Sequence, residues 1–177
     1  AQQANDAAHQ KAMAMSKAVI EAVYAMPEYT VFSDVNLDVL STGEVMITGD
    51  AATKELKSNI CPVVQKVSGV TECVNNLLQL TVSAQDREVR GRVYESIYTT
   101  YLPDYSPYPQ GERPVGGNLF RGPHPIRIIV DSGKVMLYGY VYSAEDKGSA
   151  THAAEVAPGV TKVENYLQVV QKPSSSR

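Results

Sequence analysis

Two cysteines, three histidines and a run of arginines and tyrosines are the side chains of this sequence whose types could support chemistry. Cys61 and Cys73 are not spaced as CxxC and have no histidine cluster beside them, which argues against a metal site. Joined as a disulfide they would close a loop of about 13 residues and stabilise the fold by roughly 3 kcal/mol. Left as thiols, they read as two small buried hydrophobes. His9 lies in a polar stretch, His124 between two prolines, and His152 on a helical face with no Cys or Asp at ligand spacing, so each reads as a surface or structural residue. The acidic pairs Glu145–Asp146 and Asp86 with Glu88 sit near helix starts and read as solvated charges that suit the helix dipole. The stretch PVGG at 114–117 lacks the GxxxxGK[ST] of a phosphate loop. No nucleophile stands beside a base, so no catalytic residue, metal or cofactor is expected.

The stronger pattern is a surface. Arg87, Arg90, Tyr94, Tyr98 and Tyr101 follow one another at spacings of three or four, on a helical flank beside the apolar stripe Val89, Val93 and Ile97. Tyr105, Tyr108, Arg113, Phe120 and Arg121 follow in a Tyr/Pro/Gly-rich insertion over 103–125, long for a connection without structure of its own. Arginine with interfacial tyrosine suits anionic lipid headgroups and equally suits a protein interface. The alternative is that the tyrosines widen the buried stripe and pin the insertion.

Charge and composition bound the partners. With 44% hydrophobic and 20% charged residues the chain of 177 has the make-up of a soluble globular protein. Its formal net charge of −3 gives no general reason for nucleic-acid binding. Residues 1–84 carry five basic and nine acidic side chains and 85–177 carry eleven and ten, so an anionic partner is expected to prefer the second half. No apolar run approaches the roughly 18 residues of a membrane span, so membrane contact is expected to be peripheral. The start at Ala1, with neither Met nor apolar leader, is what remains after a secretory signal is removed, and export is the expectation.

The elements that position these residues occur twice. Sliding the chain by 90 positions lays Gly43–Leu80 on Gly133–Val170 without a gap. Gly43, Val45, Met46, Gly49, Glu55, Lys57, Gly69, Val70, Thr71, Asn75 and Leu77 then meet identical residues. Val35, Leu37 and Val39 alternate as a half-buried strand and match Ile126, Ile128 and Val130 if the first hairpin holds one extra residue. Leu56, Ile60, Val63/Val64 and Val67 recur at helical spacing and stop before Gly69; Pro62 predicts a kink or an irregular first half of that helix. Ala150, Ala153/Ala154 and Ala157 form the equivalent stripe. Ala18, Val19, Ala22, Val23 and Met26 mark a helix before the first copy. The unit is helix, strand, strand, helix, strand, an α+β arrangement in which two helices cover one face of a three-stranded sheet. The other face of the second sheet, Arg127, Ile129, Met136, Tyr138, Tyr140 and Tyr166, is apolar enough that it is expected to be covered by the first repeat or a second molecule.

The hairpin phrase G-x-V-x-L-x-G, followed after a helix by G-V-x-x-V-x-N-x-L, resembles the BON domain, named from bacterial OsmY and nodulation proteins. Its residues here are Gly133, Val135, Leu137, Gly139, Gly159, Val160, Val163, Asn165 and Leu167. The first copy has Gly43, Val45, Ile47, Gly49, Gly69, Val70, Cys73, Asn75 and Leu77, with Cys73 standing where the pattern has an apolar residue. The expected organisation is an N-terminal tail over 1–10, a first BON-like domain over 11–82, a second over 83–171 holding the insertion, and a C-terminal tail over 172–177. The resemblance implies a non-enzymatic periplasmic or otherwise exported cell-envelope protein that binds phospholipid. The second domain is the expected contact, through Arg87, Arg90, Tyr94, Tyr98, Tyr101, Tyr105, Tyr108, Arg113, Phe120 and Arg121. The alternative is an assembly module that docks an envelope protein or a second copy of itself through its apolar sheet face or strand edges.

Overall fold

The computed structural model describes residues 1–108, 112 and 118–174. They fall into two compact units, Ala1–Leu80 and Thr81–Arg177.

In the first unit the order is α1 (Gln2–Tyr24), β1 (Asp34–Val39), β2 (Glu44–Ala51), α2 (Lys54–Val64) and β3 (Glu72–Gln79). Strand β2 is central, antiparallel to β1 and parallel to β3. Because side chains alternate along a strand, Val45 and Ile47 of β2 and Leu77 of β3 face one way. Their core partners are Met15, Val19 and Val23 of α1 and Leu56, Ile60 and Val64 of α2, each set at helical spacing. Thr53 opens α2 by accepting the Leu56 amide at 3.2 Å. The helix is unbroken from Lys54, with no irregular first half, and Pro62 falls in its last turn. The expected tail over 1–10 is instead helical from Gln2, every residue of it exposed; its Ala and Gln content favours helix without help from packing. Cys61 and Cys73 form a disulfide that ties α2 to the start of β3, with the Cα atoms 5.7 Å apart.

The second unit repeats the order. Helix α3 (Ala84–Glu95) runs on as a π-helical turn over Ser96–Tyr101 and a 3-10 turn over Pro103–Tyr105, before β4 (Ile126–Asp131), β5 (Lys134–Val141) and α4 (Ala144–Glu155). The closing strand is split into β6 (Lys162–Asn165) and β7 (Gln168–Val169), both parallel to the central β5. Val89, Val93 and Ile97 on one side and Ala150, Ala153 and Ala154 on the other are fully buried, as are Val135, Leu137 and Leu167 of the sheet. The expected one-residue difference between hairpins is present. Strands β4 and β5 are joined by Ser132 and Gly133 alone, both at positive φ, the two-residue turn that matches strand twist. Counted between equivalent paired residues, four residues separate Val130 from Val135 and five separate Val39 from Val45.

The repeated asparagine explains itself in this frame. Asn75 donates from Nδ2 to the Lys57 carbonyl of α2 at 2.6 Å and accepts the Leu77 amide at 3.1 Å. Asn165 does the same with Lys147 of α4 at 2.9 Å and Leu167 at 2.9 Å. One amide side chain thus fastens the helix to the closing strand and satisfies a backbone N–H of that strand. The bond uses the backbone carbonyls of Lys57 and Lys147, so the lysine side chains take no part in it.

Candidate functional site

Most of the arginine and tyrosine run turns inward. Arg90, Tyr94, Tyr98 and Tyr105 are buried, and the tyrosine hydroxyls are committed to internal bonds. Tyr94 donates to the Leu119 carbonyl at 3.1 Å and lies 3.2 Å from His124 Nε2. Tyr98 donates to the Ile126 carbonyl at 2.6 Å and accepts the Ile126 amide at 2.9 Å, fixing the start of β4. Tyr105 donates to Asp146 Oδ2 at 2.5 Å and accepts the Tyr142 amide at 2.9 Å. Burial pushes the Tyr94 phenol up to about 12, helped by Tyr108. Burial, followed by the bond to Asp146, does the same for Tyr105. Tyr98 is raised by burial as well. His124 is buried, and desolvation holds its pKa below the ordinary value against the pull of the Gly122 and Leu119 carbonyls. Phe120 meets Tyr94 edge-on with centroids 5.0 Å apart, and Tyr108 donates to the Arg121 carbonyl at 3.0 Å. These residues pin the described part of the insertion, as the alternative reading of the tyrosines has it. Arg113 lies outside the described residues.

Asp86 departs furthest from its sequence reading. Read as a solvated charge at a helix start, it is only 3% exposed. Its carboxylate accepts the backbone N–H groups of Ser132 at 3.1 Å and Gly133 at 2.9 Å, so α3 caps the tight turn between β4 and β5. Burial alone would raise its pKa, but the Gly133 and Ser132 amides with Ser83 outweigh it and hold the group below the usual 3.8. A carboxylate depressed in the folded state stabilises that state above its ordinary pKa, and the contribution is lost as pH falls through the folded value. We expect Asp86→Asn to cost the second unit about 2 kcal/mol at neutral pH, because the carboxamide keeps one acceptor oxygen and its N–H₂ then faces the other backbone donor, with the charge of the carboxylate lost. The variant should also lose less stability than wild type below about pH 4. Urea unfolding across a pH series measures both, and an unchanged profile would remove this role from Asp86.

What remains at the surface of the second unit is a different set. Arg87, Tyr101 and Arg121 are exposed, and Tyr108 and Phe120 are half-buried. Arg92, Ser96, Tyr101, Val156 and Pro158 line one shallow groove beside the π-helical turn and the C-terminal end of α4. Arg92 bonds the Pro158 carbonyl at 3.3 Å and pairs with Glu88 at 3.3 Å. Tyr101 meets His152 edge-on at 5.2 Å. Val156 is 49% exposed and Tyr101 39%, so the groove joins a guanidinium to aromatic and aliphatic surface. The sequence reading passed over Arg92 and Val156; the only signal for Arg92 is its i+4 relation to Glu88 on an outward face. On the other sheet face Ile129 is fully buried, whereas Tyr140 and Tyr166 keep 38% and 50% exposure; Tyr138 stacks on Tyr166 with centroids 5.1 Å apart. Among the described residues no group of three His, Cys, Asp or Glu side chains could hold a metal ion. None of their helices is long and apolar enough to cross a membrane.

Among solved structures, the chain is similar to CdsD, a structural protein of the type III secretion system of Chlamydia trachomatis. The identity is 9%, the TM-score 0.32, and the match covers 88% of this chain and 92% of that one. The C-terminal domain of the same protein matches at 11% identity and a TM-score of 0.28, over 87% of this chain and 96% of that one. No curated protein matches the chain at a significant level. The BON domain family model matches residues 18–83 and 116–171, one segment in each unit, and its hairpin, helix and closing strand are those described above. The chain therefore belongs to the BON domain family, which it represents twice over.

Proposed function

We propose that this chain is a non-enzymatic, exported cell-envelope protein that makes peripheral contact with anionic phospholipid through its second BON domain. The observation that carries the reading is the exposed groove in which Arg92 stands beside Tyr101 and Val156. A cation at the headgroup level with an aromatic and an aliphatic side chain below it is the chemistry of an interfacial contact. Arg87 and Arg121 are exposed in the same domain and add to its attraction for negative charge. Family membership supports envelope association.

The test is cosedimentation of the full chain with vesicles of phosphatidylcholine alone and with added phosphatidylglycerol. Each arginine near an anionic surface contributes about 1 kcal/mol, so Arg92→Glu should weaken binding to anionic vesicles by roughly 2 kcal/mol, about thirtyfold. Arg87→Glu should act in the same direction, and Tyr101→Ser should weaken binding to a lesser degree. Arg90 is unsuitable, since reversing a buried charge would disrupt the fold. Binding that ignores lipid charge, or that survives Arg87→Glu/Arg92→Glu, would sink the assignment.

A further inference from the structure

The first domain holds an apolar groove that its own residues leave open. Helix α1 buries Met15, Val19 and Val23. Beside them a second stripe, Met13, Ile20 and Tyr24, keeps 60%, 36% and 38% of its surface in solvent. With Val39 of β1 these residues line the groove, and Lys17 and Glu21 stand on its rim. The spacing of 13, 20 and 24 follows the helical period, so the stripe is nearly straight and roughly 17 Å long. An amphipathic helix normally has one apolar face to bury; α1 has the core stripe and this one beside it.

The charges say what fits. Lys17 and Glu21 lie 4.0 Å apart within α1, with 80% and 66% of their side chains exposed, and a pair so exposed holds itself weakly. An anionic membrane finds little attraction here, since residues 1–84 carry five basic side chains against nine acidic. Another α1, laid antiparallel about a twofold axis near residue 19, supplies what the groove lacks. Each Lys17 then faces Glu21 of the second copy, and Ile20 meets Ile20. Met13 reaches the ring of Tyr24, a favourable sulfur–aromatic contact, and the two helix dipoles oppose. No like charges face one another in this register, and both halves of the contact come from one patch, as a twofold interface requires.

We propose that this groove is a self-association surface, filled by α1 of a second copy of the chain in antiparallel orientation. A contact of this size gives a dimer that dissociates on dilution. Sedimentation velocity of the full chain over a concentration series reads it directly. Wild type should pass from monomer to dimer, and Ile20→Glu should remain monomeric throughout; because Ile20 is exposed, its variant should keep the wild-type thermal midpoint at dilutions where wild type is itself monomeric. Lys17→Glu alone and Glu21→Lys alone should each weaken the dimer severalfold, and Lys17→Glu/Glu21→Lys should restore it. A wild type that stays monomeric at every concentration overturns the proposal. So does a dimer indifferent to Ile20→Glu, which would place the contact elsewhere. A double variant that fails to recover overturns the antiparallel register. Vesicle binding abolished by Ile20→Glu in a monomeric wild type would assign the groove to a membrane instead, an outcome separable from the arginine-dependent binding tested on the second domain.

Discussion

Gly139→Ala is expected to unfold the second domain's sheet at temperatures where wild type is stable. Gly139 sits in β5 at φ of 115°, where a side chain is strained, and a Cβ placed there would collide with the carbonyl oxygen of Pro125. That carbonyl cannot simply retreat, because it accepts the Tyr140 amide at 3.0 Å. The left-handed backbone costs an alanine about 1–2 kcal/mol, and displacing the carbonyl raises the loss to roughly 3 kcal/mol or more. That is a large share of the roughly 5–15 kcal/mol by which domains are stable. Gly148 is the control. It lies inside α4 with nothing within 4 Å of an added Cβ, so Gly148→Ala should gain about 0.5–1 kcal/mol. Hydrogen exchange on the intact chain, residue by residue over β4 and β5, should show lost protection in the first variant and none lost in the second. A Gly139→Ala protein as stable as wild type would disprove the close approach. Gly49 repeats the geometry over Asp34, and Gly49→Ala should do to the first sheet what Gly139→Ala does to the second.

Reduction of Cys61–Cys73 should lower the stability of the first domain by about 3 kcal/mol, the chain entropy returned to the unfolded state when a loop of this length is opened. The bond joins α2 to the start of β3, beside the Ile60 and Val64 core, so exchange should quicken first in those two elements. The second domain holds neither cysteine and supplies the internal reference. Denaturant unfolding with and without reductant, monitored by the same exchange measurement, gives the shift. Two titratable thiols in untreated protein, or unchanged stability on reduction, would rule this out.

The two domains show how far a local pattern reaches. Hairpins, helical stripes and the matched glycines are visible in the residues because each depends on neighbours a few positions away, and the 90-residue repeat doubles the signal. The Arg/Tyr flank of α3 was visible as a flank and ambiguous as a surface. Arg90, Tyr94 and Tyr98 lie at intervals of four, so they share a face that borders the core stripe. Whether that face meets water depends on Leu119, His124 and Ile126, which arrive from 25 to 30 residues away to take the tyrosine hydroxyls. Asp86 carried no signal at all, since its partners are backbone amides 46 and 47 residues on, and amides have no letter in a sequence.

By itself the sequence determined the order of elements, the tandem αββαβ architecture and the family, because periodicity and turn chemistry are set by adjacent residues. The tertiary structure alone decided that the cysteines pair, that most tyrosines of the Arg/Tyr run are internal fasteners, and that the Arg92–Tyr101 groove and the second stripe of α1 keep their side chains in solvent. Exposure is a property of what else arrives at a place, and a side chain's own type and spacing do not contain it.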